Sequence, residues 1–478
     1  MNSAADLLNI FSNILFVLAL GYYFMTNMQW YSYKITRVLF HHTKTWWHLV
    51  YFLIPVFLYF IVNRESDYSI VVAIVYIAAI YLWRKEQDKP LVFTGRVKRF
   101  FAALVFFTLF LVMMKFIIKF DILVVFIPLF LAYLTSAMME KMLFLGFQNK
   151  AEKKLDAMPN MVVVGVTASY GKTSIKNYIA HILSAKYNVY ATPRSVNTFA
   201  GVLKDINDDL PSDTEVYVVE MGARGAGDIM EITKFVNPHL AIVGKIGPAH
   251  IEYFKNLENI RNTKMEILSS DRLKEAWVHD SAKLEPIKHI HTFGKEIHDI
   301  RATLDGLDFK MDNEEYHANI LGSFNAMNLG LSIKIAQALE VDAESIKKQL
   351  NSLEPTPHRL QRMDAGGKVI IDDSFNGNID GMMEGFTLAS TYKGRKVVIT
   401  PGLVEVDDEF NVQVAQKANE VFDLVVVTGD LNYAIFKEHV DADKLVKLES
   451  KDKMQEMLIE HTQKGDLILF ANDAPSFI

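Results

Sequence analysis

A short loop between a predicted strand and a predicted helix carries residues suited to binding phosphate. The β-branched run at residues 161–166 leads into Thr167-Ala-Ser-Tyr-Gly-Lys-Thr-Ser174, and an amphipathic helix follows. Backbone N–H groups at such a helix N-terminus bind phosphate oxygens, Lys172 would reach the terminal phosphates, and Thr173 could coordinate Mg²⁺. The spacing from Gly165 is one residue longer than in the strict G-x-x-x-x-G-K-[ST] motif. The loop therefore predicts phosphate binding, with a structural glycine turn as the alternative.

Three further residues could contribute metal or acid–base chemistry. Glu220 ends a predicted strand, and the carboxyl ends of parallel strands are where α/β sheets bind their ligands. His250 lies just beyond the following strand, and Lys264 lies within a predicted helix. A strand-end carboxylate, a loop histidine and a helix lysine are also common in purely structural or solvated roles. The residue types alone leave all three roles open.

The elements that must position these residues alternate between strand and helix. Short β-branched runs separated by helical stretches predict parallel α/β sheets. The candidate strands are residues 161–166, 215–220, 240–245, 368–372, 396–400, 424–428 and 466–470. Pro355 and Pro357 disfavour both helix and sheet, so they mark an internal boundary. We expect a P-loop-type parallel-sheet domain at residues 151–355 and a Rossmann-like α/β domain at residues 356–478.

The first part of the chain has a different composition. The 478 residues carry a net charge of −6 and include no cysteine, which excludes disulfides, thiolate metal sites and cysteine nucleophiles. The mildly acidic total argues against a nucleic-acid partner. Residues 1–138 hold 12 Lys/Arg and 6 Asp/Glu, and their charge-free apolar runs are residues 7–33, 45–63, 68–83, 100–114 and 122–139. A membrane-spanning helix needs about 20 apolar residues, so residues 1–150 predict a helical transmembrane bundle of about five helices.

The basic loops set the expected orientation of these helices. Lys34, Arg37 and Lys44 follow the first run, and a second basic cluster that includes Arg84 and Arg96 follows the third. Positively charged loops remain in the cytoplasm. We therefore expect a multi-pass protein of the bacterial inner (cytoplasmic) membrane whose α/β domains are cytoplasmic. A buried helical bundle in a soluble protein is the alternative.

The ordered set of motifs resembles the Mur ligases. The motifs are Thr167-x-Ser-x-Gly-Lys-Thr173, Val219-Glu-Met-Gly222, Gly247-x-Ala-His-x-Glu-x-Phe254, Gly322-x-x-Asn-x-x-Asn328, His358-Arg-Leu360 and Asp372-Asp-Ser-Phe-Asn-x-Asn378. The resemblance covers residues from about 155 to about 470. It implies an ATP-dependent amide (peptide) ligase of peptidoglycan and cell-wall synthesis, whose substrates would be a UDP-muramoyl tripeptide and D-Ala-D-Ala. The reaction would pass through an acyl phosphate.

The resemblance also implies roles for individual residues. Lys172 would hold the β- and γ-phosphates, and Thr173 and Glu220 would bind one Mg²⁺. His250 would help to bind a second Mg²⁺, supported by a carbamate formed from Lys264 and CO₂. The implied catalytic residues are Lys172, His250, Lys264 and Arg359, and the implied nucleotide-binding residues are Thr167, Ser169, Gly171, Lys172, Thr173, Ser174, Asn325, Asn328, Arg359 and Asp373. Arg359 and Asp373 would act from the C-terminal domain.

One departure from the family concerns the acyl substrate. The predicted membrane helices occupy the place of the soluble domain that grips the uridine nucleotide in Mur ligases. Two other functions therefore remain open. One is a related membrane-bound ligase acting on poly-γ-glutamate or a lipid-linked acceptor, and the other is a non-catalytic membrane scaffold that retains a nucleotide-binding fold.

Overall fold

The computed structural model describes residues 3–31, 33–40, 44–65, 68–87, 90–118, 123–194, 196–248, 251–285, 287–374, 379–404 and 408–472. They form two compact units, Met1–Asn149 and Lys150–Ile478. The predicted site residue His250 lies outside the described residues, as do the motif residues Asn376 and Asn378.

The first unit is helical. Its helices are α1 (Ser3–Trp30), α2 (Ile35–Phe40), α3 (Trp46–His48), α4 (Ile54–Glu65), α5 (Ser69–Lys85), α6 (Gly95–Ile118) and the start of α7 (Leu123–Asp156), with a π-helical stretch at Leu49–Leu53. Helix α1 packs against α5 and α6. Many large apolar side chains are nevertheless exposed, among them Phe57, Phe106 and Phe130. An apolar exterior around an apolar core is unlike the surface of a water-soluble bundle.

Among the residues that the structure describes, three helical segments are long and apolar enough to cross a membrane. They are Leu7–Trp30, Gly95–Met114 and Val125–Asp156, whereas the apolar segment Trp46–Val62 is shorter. Helix α5 contains 17 residues. Each of the five predicted apolar runs thus falls on a helix in the described residues, but five full spans remain a prediction.

The second unit begins with a six-stranded parallel sheet. Its strands are β1 (Val162–Thr167), β2 (Val189–Ala191), β3 (Val216–Glu220), β4 (Leu240–Val243), β5 (Glu275–His279) and β6 (Ile290–Phe293), in the order β2-β3-β1-β4-β5-β6. The associated helices are α8 (Lys172–Leu183), α9 (Phe199–Asp208), α10 (Asp228–Val236), α11 (Ile251–Phe254), α12 (Leu257–Met265), α13 (Phe324–Ala338) and α14 (Ala343–Asn351). The parallel α/β architecture is confirmed. The predicted strands at 161–166, 215–220 and 240–245 correspond to β1, β3 and β4, with ends shifted by one or two residues.

A small antiparallel sheet was not predicted. It contains β7 (Ile297–Thr303), β8 (Gly306–Met311) and β9 (Glu314–Ala318). Asp312 and Asn313 join β8 to β9, and both have positive φ, 52° and 65°. Two consecutive positive φ values are typical of a tight hairpin turn, but Asp-Asn is a weaker signal for it than Asn-Gly.

The second large sheet carries one antiparallel edge strand. Its strands are β10 (Gln361–Ala365), β11 (Lys368–Asp373), β12 (Lys396–Thr400), β13 (Leu424–Thr428), β14 (Leu445–Leu448) and β15 (Leu467–Ala471), in the order β10-β11-β15-β12-β13-β14. Strand β10 pairs antiparallel with β11, and the other pairs are parallel. The helices are α15 (Ile379–Ser390), α16 (Asp408–Val421), α17 (Tyr433–His439) and α18 (Met454–His461). Pro355 and Pro357 lie between α14 and β10.

Candidate active site

The phosphate-binding loop lies between β1 and α8. Gly171 caps the N-terminus of α8 with φ of 79°, a conformation that costs any residue with a Cβ atom. A Cβ at this position would lie 3.0 Å from Asn328 Oδ1. Glycine therefore allows both the turn and the close approach of α13. The free N–H groups of the first turn of α8 then form a site for an anion.

Lys172 extends over this loop. Its Nζ donates to the carbonyl oxygens of Ala168 at 2.9 Å and Ser169 at 3.2 Å. Burial lowers the pKa of the Lys172 ammonium; the nearby Glu220 carboxylate opposes this shift, and the Arg359 guanidinium adds to it. The cations of Lys172 and Arg359 are thus close enough to repel each other at the loop. A bound polyphosphate would offset this repulsion.

Thr173 and Glu220 place two oxygen ligands side by side. Thr173 Oγ1 donates to Glu220 Oε2 at 3.0 Å, and Asn197 Nδ2 donates to Glu220 Oε1 at 2.9 Å. Glu220, at the end of β3, is 1% exposed. Hydroxyl and carboxylate oxygens suit Mg²⁺, which usually takes its other ligands from water and phosphate. Among the described residues there is no group of three or more His, Asp or Glu that could hold a metal ion alone.

Three predicted nucleotide contacts have hydroxyls with partners inside the protein. Thr167 Oγ1 donates to the carbonyl of Met221 at 2.8 Å, and Ser169 Oγ donates to the carbonyl of Gly247 at 2.9 Å. Ser174 hydrogen-bonds with Tyr178. The hydroxyls of Thr167 and Ser169 join the loop to neighbouring segments, whereas Ser174 and Tyr178 lie on the same helix. Any hydroxyl contact of these residues with a phosphate would therefore involve a change of partner.

Lys264 is a buried lysine on α12, with 4% of its surface exposed. Burial, and secondarily the charge of Lys172, lowers the pKa of Lys264 to about 7, although Glu266 opposes the shift. A large part of this amine is therefore uncharged near neutral pH, which makes it a nucleophile.

Asn325 and Asn328 lie on one face of α13 beside the loop. Asn328 Nδ2 donates to Asn325 Oδ1 at 3.1 Å, and the Tyr178 hydroxyl donates to the same oxygen at 3.2 Å. Both asparagines are buried. The structure thus brings this predicted pair to the phosphate-binding loop through the contact of Asn328 with Gly171.

Arg359 reaches the same site from a strained turn before β10. His358 and Leu360 have positive φ, 62° and 45°, and Leu360 N donates to Asp373 Oδ1 at 3.2 Å. Burial raises the pKa of Asp373 to about 6, and the charge of Arg359 partly offsets this shift. Burial lowers the pKa of Arg359, whereas the charges of Asp373 and Glu220 raise it. The turn therefore brings a guanidinium near Glu220 and Lys172.

Several supporting residues were missed or not assigned a role by sequence reasoning. Asp372 holds the turn before β10, since its carboxylate lies 2.7 Å from His358 Nδ1 and accepts from Ser374. Lys245 pairs with Asp380 at 2.6 Å and so links the two large sheets. Lys176 is buried beside Glu220. Its spacing of four residues from Lys172, within the apolar segment of α8, is the signal that could have identified it.

Comparison with known proteins shows which domain and which proteins the chain resembles. Residues 166–336 match the model of the Mur ligase middle domain. The chain is 28% identical to the UDP-N-acetylmuramoyl-tripeptide–D-alanyl-D-alanine ligase of Bacillus subtilis, over 64% of this chain and 72% of that protein. It is 26% identical to the Escherichia coli enzyme of the same name, over 57% of this chain and 66% of that protein.

Solved structures give the same picture. The MurF ligase of Thermotoga maritima in complex with ADP matches with 25% identity and a TM-score of 0.58, over 68% of this chain and 80% of that one. A ligase from Acinetobacter baumannii shares the fold, with 23% identity and a TM-score of 0.62, over 69% and 76% of the two chains. Residues 166–336 therefore form a Mur ligase middle domain.

Proposed function

We propose that this protein is an ATP-dependent amide ligase that adds D-Ala-D-Ala to a UDP-muramoyl tripeptide in peptidoglycan synthesis. The observation that carries the proposal is the meeting of Lys172, Glu220 and Arg359 at one phosphate-binding loop, where the Glu220 carboxylate raises the pKa of both cations against the effect of burial. The names of the related proteins support the substrate pair.

The proposed reaction activates a carboxylate that cannot condense with an amine in water. The substrate carboxylate attacks the γ-phosphate of ATP, ADP leaves, and an acyl phosphate forms. The amine of D-Ala-D-Ala then attacks the acyl carbon, phosphate leaves with its electron pair, and the amine loses a proton. Lys172 and Arg359 would lower the repulsion between the two anions that must meet in the first step.

The oxygen atoms of Thr173 and Glu220 fit a Mg²⁺ ion, and His250 would belong to a second metal site. When bound, Mg²⁺ would neutralise part of the triphosphate charge. The residues of this chain supply the rest of the arrangement: Asn197 orients the Glu220 carboxylate, and Asn328 supports the loop at Gly171.

We also propose that Lys264 carries a carbamate. Its uncharged amine would attack CO₂, form an N–C bond and release one proton, which leaves an anion at a position where protonated lysine would be a cation. The burial of Lys264 and its lowered pKa support this chemistry, because only the neutral amine reacts. An anion here would also remove the repulsion between Lys264 and Lys172.

We further propose that the chain is a multi-pass protein of the bacterial cytoplasmic membrane, with the ligase unit in the cytoplasm. The three long apolar helices and the apolar exterior of the first unit support it. Proximity to the membrane enzymes that consume the product would be the benefit of such an anchor.

A ligase acting on another acid, such as poly-γ-glutamate or a lipid-linked acceptor, is the second candidate. The observation that favours it is the apolar helical unit Met1–Asn149, which lies outside the family match. A non-catalytic scaffold is the third candidate. A Lys172→Ala variant that leaves growth and cell-wall composition unchanged would support it.

A substrate test separates these functions. The full chain in detergent, with ATP and Mg²⁺, should release phosphate only when both the UDP-muramoyl tripeptide and D-Ala-D-Ala are present, and mass spectrometry should detect the joined product. Lys172→Ala is the inactive control. Product formation with a different acid, together with no product from this pair, would overturn the proposed specificity but would still support the ligase chemistry.

A further inference from the structure

Lys176 is a cation enclosed by the second unit. It lies on α8, four residues after Lys172, and only 1% of its surface is exposed. Burying an ammonium group is expensive unless its hydrogen-bond donors and its charge are satisfied. A lysine retained at such a position therefore needs a specific set of partners.

Its partners account for two of the three ammonium hydrogens and for its charge. Lys176 Nζ donates to the carbonyl oxygens of Thr192 and Arg194, both at 2.6 Å. It also lies 3.6 Å from Glu220 Oε2. An ammonium has three donors and no acceptor. Lys176 is thus held inside the protein, with two donors on backbone carbonyls and its charge beside Glu220.

These partners belong to two segments that meet at the proposed metal ligand. Thr192 and Arg194 follow β2, and Arg194 adopts a left-handed conformation with φ of 48°. The same segment supplies Asn197, whose side chain donates to Glu220 Oε1 and whose carbonyl accepts from Gly222 N at 2.7 Å. Lys176 thereby connects the backbone of this segment to the other carboxylate oxygen of Glu220.

We propose that Lys176 is a positioning residue that fixes the Glu220 carboxylate, and the segment after β2, so that Oε2 faces Thr173. This inference rests on the proposed function of Glu220 as a Mg²⁺ ligand. Asn197 donates to Oε1 and Lys176 forms an ion pair at Oε2, so the two partners together would hold the orientation of the carboxylate. Lys176 would act through Glu220 and would not contact the phosphates.

The first test compares Mg²⁺ dependence in the full chain. Lys176→Met keeps the length and apolar stem of the side chain but removes the ammonium. We expect the Mg²⁺ concentration for half-maximal phosphate release to rise ~10-fold or more, the usual effect of losing a residue that orients a metal ligand. Binding of ADP in EDTA should change less than about twofold, because the positioning acts on the metal ligand.

Lys186→Met is the matched control. Lys186 also donates to two backbone carbonyls, those of Leu339 and Glu340, but it is exposed and lies after the end of α8. Its loss should leave the Mg²⁺ dependence unchanged. Equal Mg²⁺ dependence in Lys176→Met and the wild type would overturn the inference. A wild-type chain that binds no Mg²⁺ and nucleotide would instead overturn the proposed function.

A double variant keeps the inference testable if Lys176→Met alone fails to fold. Lys176→Met combined with Glu220→Gln removes both charges of the buried pair, which restores neutrality. If Lys176 acts through Glu220, Mn²⁺ binding by the double variant should equal that of Glu220→Gln alone. Weaker Mn²⁺ binding by the double variant than by Glu220→Gln alone would contradict the inference, because a residue that acts only through Glu220 has no further effect once that carboxylate is gone.

Discussion

Lys264 shows how burial changes the chemistry of a single residue. Its pKa is lowered to about 7, so the ammonium form dominates below pH 7 and the neutral amine above it. In enzyme depleted of CO₂, we expect reactivation by added CO₂ to become slower by about tenfold for each pH unit below 7. Reactivation rates measured between pH 5.5 and 8.5 test this prediction. A rate independent of pH across this range would argue against a carbamate.

A second prediction concerns the function of the same side chain. Lys264→Ala should lose nearly all ligase activity, because the variant cannot form the carbamate anion. Formate, acetate or propionate at high concentration should restore part of the activity by occupying the space of the missing group. Restoration by bicarbonate alone would contradict the carbamate mechanism, since no amine remains to react with CO₂.

Arg359 provides the third prediction. Arg359→Lys keeps the charge but loses the planar fork that matches phosphate oxygens. We expect kcat to fall roughly 100-fold, the scale for losing one donor aimed at developing charge. Arg362→Lys is the control, because Arg362 pairs instead with Asp305 and the carbonyl of Leu304. Equal kcat values for Arg359→Lys and the wild type would remove Arg359 from the proposed chemistry.

At the residue scale, short motifs predict Lys172, Thr173 and Glu220, which the structure brings together. Lys176 was missed because a lysine on an amphipathic helix is ordinarily solvated, and only the segment after β2, folded over it, supplies its partners. Sequence likewise could not show that the hydroxyl of Ser169 already has a backbone partner.

At the scale of elements, the turn from β1 into α8 depends on Gly171. Gly171→Ala should destabilise the protein by about 1–2 kcal/mol, the cost of a left-handed residue with a Cβ atom, and weaken nucleotide binding by displacing Asn328. Thermal unfolding and ADP titration measure the two effects. Gly225→Ala is the control, because nothing lies within 4 Å of its added Cβ atom. Indistinguishable stability of the two variants would contradict this account of the turn.

Strands were predicted accurately where the local pattern of apolar residues determines the structure. The strands β12 and β13 have the predicted bounds, since residues 424–427 of β13 are all apolar and β-branched or leucine. Strands β7 to β9 were missed because charged residues interrupt them, as in Glu314–Ala318. Their stability comes from pairing and from contact with α13 and α14, which the local sequence does not reveal.

At the scale of the whole molecule, the fifth prediction concerns membrane topology. A fluorescent protein fused to the C-terminus should fluoresce, and alkaline phosphatase at the same site should be inactive, because the ligase unit would be cytoplasmic. The full chain should also resist extraction by alkaline carbonate and dissolve in detergent. Carbonate extraction, or an active phosphatase fusion, would contradict the proposed location.

Composition alone separates the two units of the chain. The first unit is apolar and carries few charges, whereas the α/β unit is rich in charged residues. The lengths of the apolar runs in the sequence did not fix the number of membrane-spanning helices. Among the described residues, three helical segments are long and apolar enough to span a membrane, whereas α5 has only 17 residues. The division into domains within the second unit remains a prediction.

A structure of the full chain with Mg²⁺ and a non-hydrolysable ATP analogue tests the central claim most directly. The account predicts that the γ-phosphate lies within hydrogen-bonding distance of both Lys172 Nζ and the Arg359 guanidinium, with the metal between Thr173 and Glu220. A triphosphate bound away from the loop at Gly171, or contacting neither cation, would contradict it.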